Sequence, residues 1–148
     1  MLSCDANKLQ RVFDNVLRNA VSYCYENTTI QVNARHAEDN VLIKIINEGD
    51  TIPRERLVRI FEQFYRLDVS RSSSTGGAGL GLAIAREIVE LHHGQITAHS
   101  ENGITCFEIT LPTVGNRKKF RDNCCVERTK NRRSRLRCPG RGRRHLLP

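Results

Sequence analysis

The stretch 29-TIQVNARHAEDNVLIKII-46 decides the fold. Over Thr29 to Arg35, Ile30, Val32 and Ala34 alternate with polar residues, the period of a strand with one buried face. Val41 to Ile46 is almost wholly apolar, which predicts a central strand buried on both faces. Ala37-Glu38-Asp39-Asn40 supplies a polar turn between them, so the pair reads as a β-hairpin with His36 at its turn. Upstream the period changes. Across residues 8 to 24, Leu9, Val12, Phe13, Val16, Leu17, Ala20 and Val21 fall on one helical stripe, and Asp5 or Ser3 can cap its start.

Downstream, Asn47 to Pro53 is a loop punctuated by Gly49 and Pro53. Arg54 to Phe64 has helical spacing, with Leu57, Ile60, Phe61 and Phe64 on one side. Arg66 to Gly79 is polar, rich in Ser and Gly, and long enough for a lid. Leu80 to Leu91 predicts another helix, with Leu80, Ala83, Ile84, Ile88 and Leu91 as its buried stripe. Gln95 to Ser100 and Ile104 to Leu111 make a second hairpin around Asn102-Gly103, with Thr105, Phe107, Ile109 and Leu111 on one face. Two hairpins separated by helices imply an α+β fold: a two-layer sandwich, its mostly antiparallel sheet covered by about three helices.

Composition limits the function. The 148 residues are 39% hydrophobic and 27% charged, enough for a core and against wholesale disorder. No apolar run approaches the roughly 20 residues of a membrane-spanning helix. The net charge of +8 suggests nucleic acid until it is located. Residues 1–113 carry 11 Lys and Arg against 14 Asp and Glu; residues 114–148 carry 13 against 2. A mildly acidic domain over 1–113 thus precedes a basic tail over 114–148, which lacks apolar periodicity and reads as disordered. The tail fits a frameshifted extension best. An arm for nucleic acid or anionic membranes is the second reading, but with Phe120 as its one aromatic residue it lacks stacking platforms, and binding would be non-specific. The six cysteines show no CxxC spacing, which argues against a zinc site, and they read as reduced thiols.

Two features bear on chemistry. Asn15 and Asn19 are one helical turn apart, so their amide oxygens could share a hard cation, or both could simply face solvent. Gly76, Gly77, Gly79 and Gly81 precede an amphipathic helix, where bare backbone N–H groups at the positive end of a helix dipole favour phosphate. The run lacks the Gly-Lys-Ser/Thr of a P-loop and does not follow a strand, so neither the P-loop nor the dinucleotide-binding fingerprint fits.

Together these segments resemble the ATP-binding catalytic domain of sensor histidine kinases, within the gyrase, Hsp90, MutL and histidine-kinase ATPase group. The matching segments, in the family order, are Asn15-Val-Leu-Arg-Asn19-Ala20 with Tyr23, and Asn47-Glu-Gly49 with Ile52-Pro53. Ile60-Phe61-Glu-Gln-Phe64-Tyr65-Arg66 and Gly77-Ala-Gly79-Leu-Gly81-Leu82 follow, and His93-Gly94-Gln95-Ile96, Thr105-Cys-Phe107 and Leu111-Pro112 complete the set. The segment FEQFYRLDVSRSSSTGGAGLGLAIA is most similar to the VanS-type sensor kinases of glycopeptide (vancomycin) resistance.

The resemblance implies a Bergerat-type fold, ATP and Mg²⁺ as cofactors, and a role for each matched residue. Asn19, aided by Asn15, would hold Mg²⁺ against the triphosphate, and Arg18 could approach phosphate. Tyr23 would line the adenine pocket, with Asn47, Gly49 and Ile52 at the adenine edge and Thr105 at the floor. Gly77, Gly79 and Gly81, flanked by Leu80 and Leu82, would present backbone N–H groups to the phosphates. The segment from Arg66 to Gly76 would be the lid, packed by Phe61 and Phe64. Two departures are visible: Asn47 stands where the family usually has Asp, and Ser22 where many relatives carry Lys. Both imply weaker ATP binding.

By the same resemblance the γ-phosphate would pass to a histidine on a separate dimerisation domain, and from there to the receiver domain of a response regulator. None of His36, His92, His93, His99 or His145 has the acceptor context, so no catalytic histidine is expected here; His92 and His93 read as a helix end. The family's first strand would be missing ahead of Asp5. The full-length relatives implied are homodimeric and membrane-anchored, with this domain in the cytoplasm. The alternatives are a truncated, non-catalytic relic whose basic tail binds polyanions, or another ATPase of the same group.

Overall fold

The structure is a computed structural model that describes residues 5–65, 79–113 and 132–137. Helix α1 (Ala6–Tyr23) is followed by strands β1 (Thr29–Ala37) and β2 (Asn40–Glu48), a single helical turn α2 (Arg54–Leu57) and a 3₁₀ turn over Arg59–Phe61. After residue 79 come α3 (Gly81–Leu91), β3 (Gln95–Glu101), β4 (Ile104–Pro112) and a short β5 (Arg132–Arg137). The strands form one sheet in the order β3-β4-β2-β1-β5, every pairing antiparallel. This is the expected α+β sandwich, with no parallel pair among the described residues.

Asp5 caps α1, its carboxylate accepting from the Asn7 and Lys8 N–H groups at 3.0 and 3.2 Å. Those donors have no partner inside the helix, so the side chain fixes where it begins. Leu9, Val12, Val16 and Ala20 are buried against the sheet, while Val21 at the edge of the stripe is exposed. The Nδ1 of His92 contacts the Ile88 carbonyl at 2.7 Å, leaving Nε2 to accept the Asp5 N–H at 3.1 Å. The end of α3 is thereby tied to the start of α1, and His92 and His93 end their helix as expected. In the β3–β4 turn Asn102 and Gly103 both have positive φ, the geometry an Asn-Gly hairpin requires.

Several expectations are corrected. Strand β2 is central, yet only Ile43, Ile45 and Asn47 are fully buried; its other face is half-exposed and carries a 2.7 Å ion pair from Lys44 to Glu108. Helices cover one face alone, so a continuous apolar run does not require two. In α3 the buried residues are Leu82, Ala85, Ile88 and Val89, and Leu91 is exposed. Apolar residues surround this helix, so spacing left its rotation undetermined. Arg54 to Phe64 is two separate turns: Pro53 offers no side-chain cap, and a four-residue helix cannot repay its nucleation cost. Ile60 and Phe61 are buried, whereas Phe64 is exposed with φ of 63°. His36 belongs to β1, opposite Val41, rather than to the turn.

The tail is also corrected in part. Arg132–Arg137 pairs with β1, Arg137 opposite Thr29 and Arg132 opposite Ala34. An outer strand offers unpaired backbone N–H and C=O groups, and pairing with them needs no hydrophobic pattern. The rest of the tail and the segment 66–78 lie outside the described residues.

Candidate functional site

The site forms where the C-terminus of α1 meets the ends of β2 and β4. Cys24 and Gly49 make a backbone bridge, and the Tyr25 N–H donates to the Glu48 carbonyl at 2.8 Å. A Cβ at Gly49 would lie 2.2 Å from the Tyr23 carbonyl oxygen, so only glycine permits this approach. The Gly49 N–H donates to the Gly103 carbonyl at 2.8 Å, which joins the loop to the β3–β4 turn.

Beside this junction lies a cavity of about 180 Å³, lined by Asn19, Tyr23, Asn47, Asp50, Ile52, Arg56 and Thr105. A dry cavity of about 150 Å³ is known to hold benzene, so this one admits a planar ring system. Asn47 and Thr105 face each other in the β2–β4 register and are 3% and 4% exposed. The Thr105 hydroxyl meets Ser100 Oγ at 3.0 Å, and Ser100 Oγ accepts the Ile52 N–H at 2.8 Å. Asn47 Oδ1 is buried without any hydrogen-bond partner. Burying an amide oxygen unpaired is costly, so such a group on a cavity-lining residue marks a place where a ligand donor would be stabilised.

Of the residues singled out from sequence, the cavity brings together Asn19, Tyr23, Asn47, Ile52 and Thr105. Gly49 supports it from behind. Asn15 sits beside it on α1, its Oδ1 placed 3.2 Å from where a Cβ on Gly81 would stand. The paired amides and the start of α3 are therefore neighbours. Leu80 is half-buried, Leu82 has its side chain in the core, and Arg18 is exposed away from the cavity. Ser22 Oγ donates to the Arg18 carbonyl at 2.8 Å. Phe61 is buried in the core. Arg66, Gly77 and the expected lid from Arg66 to Gly76 fall outside the described residues.

Gly79 has φ of 72°, and its carbonyl accepts the Phe64 N–H at 3.0 Å. The two ends of the 66–78 segment therefore meet at one point, braced by the Arg59 guanidinium 4.4 Å above the Tyr65 ring. Asp50 and Arg56 were not anticipated as lining residues. Asp50 directly follows Gly49 in the matched motif and was legible there; Arg56 carried no signal, because its placement depends on the turn after Pro53. Asp50 accepts the Tyr25 hydroxyl at 2.9 Å.

Two thiols have defined states. Cys24 is disulfide-bonded, which corrects the expectation of a reduced thiol at that position. Sequence spacing does not show which sulfurs meet in space. Cys106 is free, and burial pushes its thiol above the usual range, with Lys44 opposing and Glu108 adding to the rise. Among the described residues no cluster of His, Cys, Asp and Glu could hold a metal ion, and no helix is long and apolar enough to cross a membrane.

Helices on one face of an antiparallel sheet, with a cavity between α1 and the strand ends, is the architecture of histidine-kinase catalytic domains. The catalytic domain of the histidine kinase ThkA superposes with a TM-score of 0.65 at 28% identity, over 74% of this chain and 69% of that one. The chain belongs to the histidine kinase-, DNA gyrase B- and HSP90-like ATPase family, whose profile matches residues 4–115. Its similarity within that family runs to sensor histidine kinases. It is 50% identical to the sensor protein VanS of Enterococcus faecium over 113 residues, which are 76% of this chain and 29% of VanS. It is 40% identical to the sensor protein VanSC of Enterococcus gallinarum over 116 residues, 78% of this chain and 32% of that protein. The chain thus spans about a third or less of the curated relatives it matches.

Proposed function

We propose that this chain is the nucleotide-binding part of a sensor histidine kinase and that its cavity takes the base of Mg-ATP. The observation that carries the reading is the unpartnered Oδ1 of Asn47, a buried residue in the lining of a ring-sized cavity together with Thr105 and Tyr23. The exocyclic amino group of adenine is the donor that oxygen lacks. Asn19 on the cavity wall and Asn15 one turn earlier would hold Mg²⁺ through amide oxygens. That donor set fits: neutral oxygens suit a hard cation whose charge is balanced by phosphate. When bound, the ion neutralises charge on the transferring phosphoryl group. Gly79 and Gly81 lie on the phosphate side, where N–H groups at the start of α3 favour anions.

In this reading residues 1–113 form the domain and residues 114–148 an appendage with one strand docked on β1. The γ-phosphate is delivered to a histidine on a dimerisation domain, then to a response-regulator receiver domain, in a homodimeric, membrane-anchored kinase. The 50% identity to VanS supports a place in glycopeptide-resistance signalling. Calorimetry with a magnesium-loaded, non-hydrolysable ATP analogue tests the site. Saturable heat that Asn47→Ala weakens at least about tenfold is the expected outcome. No heat with the folded wild-type chain would refute the proposal. Adding a histidine-bearing dimerisation domain and labelled ATP tests transfer: label stable to base and lost in acid is expected on that domain.

A further inference from the structure

We infer that the cavity accepts 6-oxopurine nucleotides alongside 6-aminopurine nucleotides, because the group that reads the base is an amide. The inference rests on the nucleotide-site reading above and concerns only which base the site selects. A carboxylate at the floor of a base pocket is an acceptor alone: it attracts an amino group and repels a carbonyl. Asn47 carries both functions on one planar group. With Oδ1 forward it accepts from the amino group at carbon 6 while Nδ2 donates to N1. Turned by 180°, Nδ2 donates to a carbonyl at carbon 6 while Oδ1 accepts the N1–H. Each orientation makes a two-point pair with a purine edge.

The surroundings do not lock one orientation. Oδ1 has no hydrogen-bond partner, so no protein donor opposes the turn. The adjacent hydroxyls are equally reversible. Thr105 Oγ1 and Ser100 Oγ are 3.0 Å apart with either able to donate, and the Ile52 N–H supplies Ser100 Oγ in both cases. The Gly49 N–H, a fixed donor nearby, is committed to the Gly103 carbonyl. Asn47, Thr105 and Ser100 are therefore groups of adjustable polarity, in contrast to Asp50 and Arg56 elsewhere in the lining, and their discrimination at carbon 6 is small. A site with fixed buried donors or acceptors rejects the mismatched ligand strongly because those groups would be left unpaired.

The test is calorimetry of the whole chain with magnesium-loaded imido analogues of three triphosphates: adenosine, inosine and purine riboside, which has hydrogen at carbon 6. The expected result is that adenosine and inosine forms bind within about tenfold of each other and both bind more tightly than the purine riboside form. In Asn47→Asp the adenosine form is expected to gain and the inosine form to lose, widening their ratio at least about tenfold. Binding of the adenosine form with a larger wild-type gap to the inosine form overturns this inference and leaves the nucleotide site standing. Silence toward all three overturns both. The wild-type ratio decides the matter even if Asn47→Asp fails to fold.

Discussion

The cavity has a floor and a rim, and the two are built differently. Its floor consists of Asn47 and Thr105, paired in adjacent central strands above Phe107 and Ile109, which are 1% and 0% exposed. Its rim consists of the loop around Asp50 and the turn carrying Arg56, where side chains are mostly exposed and single hydrogen bonds, such as Gly49 N–H to the Gly103 carbonyl, hold the pieces. Packing fixes the floor's geometry before any ligand arrives. The rim derives its geometry from a handful of backbone contacts. Such a division places selectivity in the rigid part and leaves adaptability to the part of lowest local stability.

The comparison can be broken from its strongest side first. Phe107→Ala removes a fully buried ring beneath the floor and should cost about 3–5 kcal/mol in urea denaturation. A cost near zero would mean the floor is not supported by the core. At the border of floor and rim, Gly49→Ala drives a methyl group onto the Tyr23 carbonyl; unfolding should become easier by about 1–3 kcal/mol, and nucleotide binding should fail with it. Asn19→Ala should separate the two properties. The half-exposed amide contributes within about 0.5 kcal/mol to stability, while Mg-nucleotide affinity drops at least about tenfold. Equal loss of both would show that Asn19 is structural.

The smallest effect concerns the far face of the sheet. Lys44 is the one influence that lowers the Cys106 thiol, whereas burial and Glu108 raise it. In Lys44→Met the thiol should titrate still higher, so iodoacetamide labelling at a fixed mildly alkaline pH should slow. Stability should change by less than about 1 kcal/mol, because the ion pair is partly exposed. Faster labelling would contradict the stated balance of influences.

Legibility followed the same division. The floor could be read because its elements carry strong periods: the α1 stripe, the alternation in β1 and β4, and the Asn-Gly turn at 102–103. Asn19, Tyr23 and Thr105 were named through motifs seated on those elements, Asn47 and Ile52 through the motif that ends β2 and enters the following loop, and the cavity gathers them. The rim could not be read as well. Leu57, Ile60, Phe61 and Phe64 fit a helical template, yet the chain breaks into two turns and swings Phe64 outward to meet Gly79. The rotation of α3 was undetermined because Leu80, Leu82, Ala83, Ile84 and Ala85 are apolar in near succession. Strand β5 was invisible for another reason: an edge recruits backbone, and backbone leaves no mark in composition.

The hydrogen bond from Phe64 to Gly79 has a consequence for evolvability. Because it brings residues 64 and 79 together, the entropic cost of closing the chain between them rises only slowly with its length. Doubling the length of such a closed excursion adds only about 0.6 kcal/mol of closure entropy. A flexible insertion between residues 65 and 79 should therefore add little closure cost, and the scaffold should melt at nearly the same temperature.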